Sequence, residues 1–322
     1  MDNQITVKEL TTPEETARFW DRLRAYFRRD MFPDDGSGPD REESLDYFLG
    51  EEYRAAIEKL HARQTDPLYY LAFLRDGAEI GYAMPTAYPS EDGKWFLMEF
   101  WVLPEFRGGG TGRACARTLL DWARERGAAY FELNAEGEQR RKFWADTGFV
   151  PNGVDEWGKP CMLLPPEEEL PLRVERLTDP DSPELGWQLY KLENSFLAEI
   201  GEEPLTGEKK ERLAAAVREG RIAFFLALRG TRAVGMCSVS PCFSTFACGE
   251  TGVFDDFYVE PPFRRRGAAR LLSGAARDWC RARGMASLTV GCCAGDVGMY
   301  RALGFSLELG TMLACPLSPP NP

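Results

Sequence analysis

The chain has 322 residues, 44% of them hydrophobic and 28% charged, and a formal net charge of −12. That length suits one large domain or two of ordinary size, with enough apolar content for a folded core. The acidic balance argues against nucleic acid as a partner, because phosphate-backbone binding needs a basic surface. No run approaches the ~18 apolar residues of a membrane span, and Met1–Gln4 opens no basic-then-apolar leader. None of the nine cysteines forms a Cys-x-x-Cys pair, so reduced thiols and a cytoplasmic location are expected. The one histidine, His61, leaves a His-based triad or a mixed Cys/His zinc site without support, and no metal is expected.

In chain order, Ile5–Leu10 reads as a strand, followed by helical stretches near Glu14–Arg29 and Glu42–Ala62. Tyr69–Arg75 and Glu79–Tyr88 read as a hairpin turning at Asp76-Gly77. Lys94–Val102 is a strand, and Gly110–Arg126 a helix whose Cys115, Leu119 and Trp122 keep helical spacing. A strand at Ala129–Leu133, a short helix at Glu138–Asp146 and two closing strands complete this half. The second half repeats the order. A strand at Leu172–Leu177 precedes helices near Pro183–Ile200 and Gly207–Arg218. A hairpin spans Ile222–Leu228 and Ala233–Pro241, followed by a strand at Phe254–Val259 and a helix at Ala268–Arg283. Ser287–Val290 and Asp296–Leu303 are the last strand and helix.

The repetition extends to residues. Glu99–Gly127 aligns without a gap on Asp256–Gly284, with identities that include Val102/Val259, Pro104/Pro261, Arg107/Arg264, Gly110/Gly267, Trp122/Trp279 and Gly127/Gly284. Duplication at half the chain length means two similar domains rather than a short-repeat solenoid. The Pro- and Glu-rich segment after Leu164 reads as a linker. The expected organisation is a domain over 1–165, a linker over 166–171 and a domain over 172–322. Each is expected to be a mixed α/β (α+β) unit, with a mostly antiparallel twisted sheet and helices on both faces.

The loop between the fourth strand and the following helix reads Arg107-Gly108-Gly109-Gly110-Thr111-Gly112 in one half and Arg264-Arg265-Arg266-Gly267-Ala268-Ala269 in the other. Both fit R-x-x-G-x-G/A. At a strand-to-helix junction several backbone N–H groups lack internal partners. Glycine allows close approach, the helix dipole favours negative charge and arginine adds forked donors, so the junction suits a diphosphate. Neither loop is a Walker P-loop or a dinucleotide fingerprint.

This strand–Val-x-Pro-x-Phe-Arg-x-x-Gly-x-Gly/Ala pattern, with Tyr300-Arg-Ala-Leu-Gly304-Phe305 downstream, resembles the acetyl-CoA-binding motif of the GNAT superfamily of N-acetyltransferases, twice over. The resemblance implies tandem domains that use acetyl-CoA. Amides around Arg107–Gly112 and Arg264–Ala269 would hold the diphosphate. The fourth and fifth strands would splay, exposing the edge near Val102 and Val259 to the pantetheine arm. Asp256 and Glu99, on the fourth strands, would be candidate bases toward a primary amine of a small molecule or peptide. Tyr300 would assist the departing thiol. Trp144 stands at that place in the first half, which makes the C-terminal domain the expected catalytic half. The competing expectation is an acyl-CoA-binding sensor without turnover.

Overall fold

The computed structural model describes residues 4–32, 40–90, 92–155, 158–166 and 170–310. The chain separates into two compact units, Met1–Glu168 and Glu169–Pro322. Residues 167–169 of the expected linker lie outside the described residues.

The N-terminal unit begins with β1 (Ile5–Glu9) and α1 (Pro13–Tyr26). Helix α1 starts in a capping box: Thr12 accepts from the Glu15 N–H, and the Glu15 carboxylate accepts from the Thr12 N–H. Its Phe19, Trp20, Leu23 and Tyr26 form the buried stripe. The helix expected to run on to Arg29 instead widens into a π-helical turn, Phe27–Met31, closed by Phe32 N–H to Phe27 O at 2.9 Å. The single helix expected over Glu42–Ala62 is two, α2 (Asp40–Leu49) and α3 (Glu51–His61). Gly50 breaks it: a Cβ there would lie 2.7 Å from Asp46 O, a contact only glycine avoids.

The hairpin β2 (Leu71–Arg75) and β3 (Ala78–Tyr88) turns at Asp76 and Gly77, whose φ of 52° and 80° match a two-residue turn of the right twist. Then come β4 (Lys94–Val102), α4 (Thr111–Arg124), β5 (Tyr130–Asn134), α5 (Glu138–Ala145), β6 (Val150–Val154) and β7 (Pro160–Leu164). The sheet order is β1-β2-β3-β4-β5-β7-β6. All neighbours are antiparallel except β4 and β5. One face packs on α4 through Cys115, Leu119 and Ala123; the other packs on α1 and α3 through Phe19, Leu23 and Ile57.

The C-terminal unit contains β8 (Leu172–Leu177), α6 (Gly186–Ile200), α7 (Gly207–Arg218), β9 (Ala223–Arg229) and β10 (Arg232–Ser244). It continues with β11 (Gly249–Val259), α8 (Ala268–Ala282), β12 (Leu288–Val290) and α9 (Val297–Ala302). The sheet order is β12-β11-β10-β9-β8, with only β11 and β12 parallel. Strand β11 starts earlier than the expected Phe254, because β10 continues to Ser244 and pairs with it down to Gly249. Each unit is therefore a mixed sheet with helices, as the repeated element order implies.

Two features repeat beneath the motif. In each unit the fourth strand bulges against the third, between Leu97 and Glu99 on β4 and between Asp255 and Tyr258 on β11. And in each, a glycine of the third strand lies under the end of the fourth. A Cβ on Gly81 would be 2.6 Å from Trp101 O, and one on Gly235 would be 2.8 Å from Tyr258 O. Overpacking at such a backbone contact costs about 1–3 kcal/mol. Gly235→Ala is expected to destabilise the C-terminal unit by about that amount, read as a lowered urea midpoint at unchanged slope. An unaltered midpoint would contradict this packing.

Candidate functional site

The site starts where two parallel strands part. Strand β4 pairs with β5 only at Lys94, Trp95 and Phe96; β11 pairs with β12 only at Gly252, Val253 and Phe254. Beyond those residues β4 and β11 continue to Val102 and Val259 with no partner on that side among the described residues. Each unit thus has a wedge whose one wall is a stretch of unpaired backbone edge. Val102 and Val259 themselves are buried.

The loops sit at the end of that edge. Gly108, Gly109 and Gly110 all take positive φ, and a Cβ on any of them would meet nothing within 4 Å. The corresponding C-terminal loop holds Arg265 at φ 64° and Gly267 at φ 95°, with open space at the latter. Helices α4 and α8 start at Gly110 and Gly267 without a side-chain cap. Apart from the Thr111 N–H, which donates to Gly108 O at 3.0 Å, and the Arg270 N–H, which donates to Gly267 O at 3.1 Å, their first-turn amides are available to an outside anion.

The other loop residues are placed differently. The guanidinium of Arg107 donates through Nε to Val102 O at 2.9 Å and forks onto Asp30 at 3.0 and 2.6 Å. Arg264 repeats this: Nε donates to Val259 O at 2.8 Å, and Nη2 meets Glu199 Oε2 at 2.5 Å. These two arginines tie the strand end to the π-helical turn in one unit and to α6 in the other. Thr111 is buried and accepts from Arg75 Nη2 at 3.2 Å. A Cβ on Gly112 would lie 3.2 Å from the Phe143 ring, so close helix packing holds that glycine. Ala268 is buried, Ala269 half-buried, and Arg265 and Arg266 exposed.

The acid-base candidates differ between units. Glu99 is 9% exposed. Burial raises its carboxyl to about 8, against the pull of the Arg140 and Lys159 charges and the Tyr26 hydroxyl. Asp256 sits in the bulge at φ 45°, a region L-residues seldom adopt. Its Oδ2 accepts from Ser238 Oγ at 2.6 Å. Burial raises its carboxyl, the Ser238 bond lowers it and the Asp255 charge raises it further. Tyr300 on α9 is half-buried among Phe254, Phe257 and Phe305. Burial first, then nearby Asp296, Cys292 and Asp255, push its hydroxyl up to about 12, so it keeps its proton at neutral pH. Trp144 has the same setting, against Phe100, Phe143 and Phe149, but is fully part of the core.

Several partners were not legible from motifs: Asp30 and Glu199, which hold the loop arginines, and Ser238, which holds Asp256. Arg140 Nη2 also donates to Asp30 O at 3.1 Å, tying α5 to the π-helical turn beside the open edge of β4. Glu193 lies on the buried side of α6 with Leu189 and Leu192. An acid at an apolar helical position was the signal available for it.

A family model described as the acetyltransferase (GNAT) family matches residues 20–149 and again residues 186–305. No curated protein matches the chain. Among solved structures, the chain is similar to an aminoglycoside acetyltransferase from an uncultured soil metagenomic sample in complex with sisomicin, at 20% identity over 46% of this chain and 97% of that chain, with a TM-score of 0.40. It is similar to glucosamine-6-phosphate N-acetyltransferase from Arabidopsis thaliana, at 15% identity over 46% of this chain and 99% of that chain, with a TM-score of 0.38. It is similar to PaiA N-acetyltransferase from Thermoplasma acidophilum in complex with coenzyme A, at 13% identity over 50% of this chain and 98% of that chain, with a TM-score of 0.39.

Two outcomes are expected from this geometry. Arg265→Gly removes a left-handed arginine, and relief of about 1–2 kcal/mol should raise the unfolding midpoint of the C-terminal unit; a lowered midpoint would contradict the strain. Glu99 titrates near 4.5 unfolded and about 8 folded. The folded state then binds more protons in that window, so stability falls as pH rises through it. Glu99→Gln should flatten that dependence in pH-resolved denaturation, whereas an unchanged slope would mean Glu99 titrates normally.

Proposed function

The chain belongs to the acetyltransferase (GNAT) family, with one family segment in each half, and on that premise we propose that its C-terminal unit moves an acetyl group from acetyl-CoA to a primary amine of a small molecule or peptide. The observation that carries this reading is the juxtaposition in that unit of an open β11 edge, an uncapped α8 start and a half-buried Tyr300 hydroxyl. Acetyl-CoA, bound there, supplies an acyl carbon already activated as a thioester.

The residues fit such a donor. The amides around Arg265–Ala269 face outward from a helix start and would hold the diphosphate. Arg264 acts from behind, fixing the loop to Val259 and Glu199. Exposed Arg265 adds positive charge on the open side. The unpaired edge between Phe257 and Val259 offers backbone groups to the extended arm, as an edge strand does to a peptide. A backbone N–H on that edge would also stabilise negative charge on the thioester oxygen.

Asp256 is the proposed proton acceptor. An alkylammonium near ~10.4 must lose a proton before its nitrogen can attack. A carboxylate raised by burial is a better base than one in water. Ser238 holds Asp256 in one orientation. Tyr300, at about 12, is a weaker acid than a thiol near ~8.5. Its part is to donate a hydrogen bond to the sulfur as negative charge develops, and the departing thiolate takes its proton from solvent.

In the N-terminal unit the amides of Gly108–Gly110 are equally open, but the equivalent of Tyr300 is the core residue Trp144. The Arg107–Asp30–Arg140 tie also spans the end of the β4 edge. These features support a second reading for that unit, a coenzyme-binding or purely supporting half without turnover; Glu99 is then a buried carboxyl without a catalytic load.

Thiol release from acetyl-CoA with a panel of amines tests the proposal. Tyr300→Phe is expected to lower turnover at least ~10-fold while coenzyme affinity changes little. Full activity in that variant would remove Tyr300 from the chemistry. Because Asp256 must be unprotonated to act, the rate should rise with pH through its raised pKa, and Asp256→Asn should abolish that limb. Gly267→Glu should eliminate the catalytic coenzyme site, by lost backbone access and repulsion of phosphate. If activity survived Gly267→Glu and vanished in Gly110→Glu, the halves would have been assigned the wrong way round.

A further inference from the structure

Three carboxyls of the C-terminal unit gather on the face of its sheet that α6 covers. Asp255 and Asp256 belong to the bulge of β11. Across the bulge Asp255 pairs with Ser238 and Tyr258 with Met236, Asp256 accepts from the same Ser238 through its hydroxyl, and Tyr258 packs with Leu189 and Leu192 of α6. Glu193 comes from that same helix, which lies on both β10 and β11. It is 7% exposed, and its Oε2 has no hydrogen-bond partner. Burial first, then the charges of Asp256 and Asp255, raise the Glu193 carboxyl to about 8, so the three groups sense one another.

The cations on this face are committed elsewhere. Lys191, on the same helix, lies 3.9 Å from Glu260, and Arg232 makes a buried pair with Glu260 at 2.7 Å. Among the described residues, no arginine or lysine pairs with Glu193, Asp255 or Asp256. The acids are also not arranged as a group of three that could hold a metal ion. An unpartnered buried carboxylate oxygen costs free energy, and the natural remedy is a donor from outside.

Amine transfer needs one proton acceptor, and Asp256 fills that role. It gives no use to Glu193 or Asp255. The reacting amine must be neutral when it attacks, so Glu193 calls for a second nitrogen on the acceptor that stays an ammonium, and Glu193 gives up its own proton to solvent as that ammonium seats. We propose that this face is a diammonium site: the acceptor is a diamine or polyamine whose reacting nitrogen meets Asp256 while another ammonium seats on Glu193 and Asp255. This rests on the reading of the C-terminal unit as an amine acetyltransferase. A carboxylate–ammonium contact excluded from water is stronger than an exposed one, so the buried Glu193 dominates selectivity and the exposed Asp255 assists.

Titration calorimetry on the full chain with 1,4-diaminobutane and with butylamine separates the second charge from the chain length. The diamine is expected to bind at least ~10-fold more tightly. Glu193→Gln and Asp255→Asn, each checked for native circular dichroism, should each reduce that ratio, Glu193→Gln at least ~5-fold. The ratio is the readout, because a general loss of structure would weaken both amines together. Equal affinities in the unmodified chain, or a ratio untouched by both variants, would overturn the proposal. Calcium displacing the diamine stoichiometrically would overturn it too, in favour of a metal site. Thiol release measured in parallel distinguishes the two readings. Selective diamine binding without transfer would leave the diammonium site standing and defeat the catalytic reading. Transfer to butylamine as efficient as to the diamine, without selective binding, would do the reverse.

Discussion

Everything proposed here depends on β11 leaving β12 after Phe254, as β4 leaves β5 after Phe96. Parallel strands normally make evenly spaced hydrogen bonds along their shared length. Here those bonds are given up, so half a strand keeps an unpaired edge inside the fold. The bulge just before the edge turns Asp256 to a backbone conformation it would not adopt alone, and glycine at 81 and 235 lets the bulged strand lie close on its neighbour. Strain and unmade hydrogen bonds gathered in one place mark a site built to be completed by something else.

The loop arginine acquires a different meaning in this setting. Its side chain holds the strand end to an acid on the early helical region, Asp30 in one unit and Glu199 in the other. The positive potential at the loop then comes from helix amides and from Arg265, while Arg107 and Arg264 keep those amides in position. The acids that satisfy the arginines differ in type and in setting, one on a π-helical turn and one in α6, yet both make the same tie. Such convergence within one chain argues that the clamp is needed wherever the loop is used.

Much of this was legible in the sequence. The internal repeat carried the element order, the loop pattern carried the strand-to-helix junction, and Asp76-Gly77 carried its hairpin. Local chemistry failed where the cause was remote. The π-helical turn at Phe27–Met31 has no glycine or proline to announce it, and Gly50 looks like one tolerable glycine in a helical stretch until its contact with Asp46 O is seen. Asp30 and Glu199 could not be tied to the loop, since ion pairs between distant segments leave no periodic trace. Glu193 did leave one, an acid at an apolar helix position, but its unpartnered oxygen and its nearness to Asp255 and Asp256 exist only once α6 packs on β11. The two halves share sequence at the loop and diverge where Trp144 replaces Tyr300, and burial sets these two side chains apart more sharply than the residue types alone.

The central claim is that the open β11 edge and the α8 start of the C-terminal unit receive the coenzyme. Amide hydrogen exchange with and without coenzyme A tests it directly, since it reads the backbone groups themselves. The account predicts that coenzyme A slows exchange at Phe257–Val259 and at Arg265–Ala269. Unchanged exchange at both segments under saturating coenzyme A, or protection confined to Gly108–Gly112 of the N-terminal unit, would contradict it.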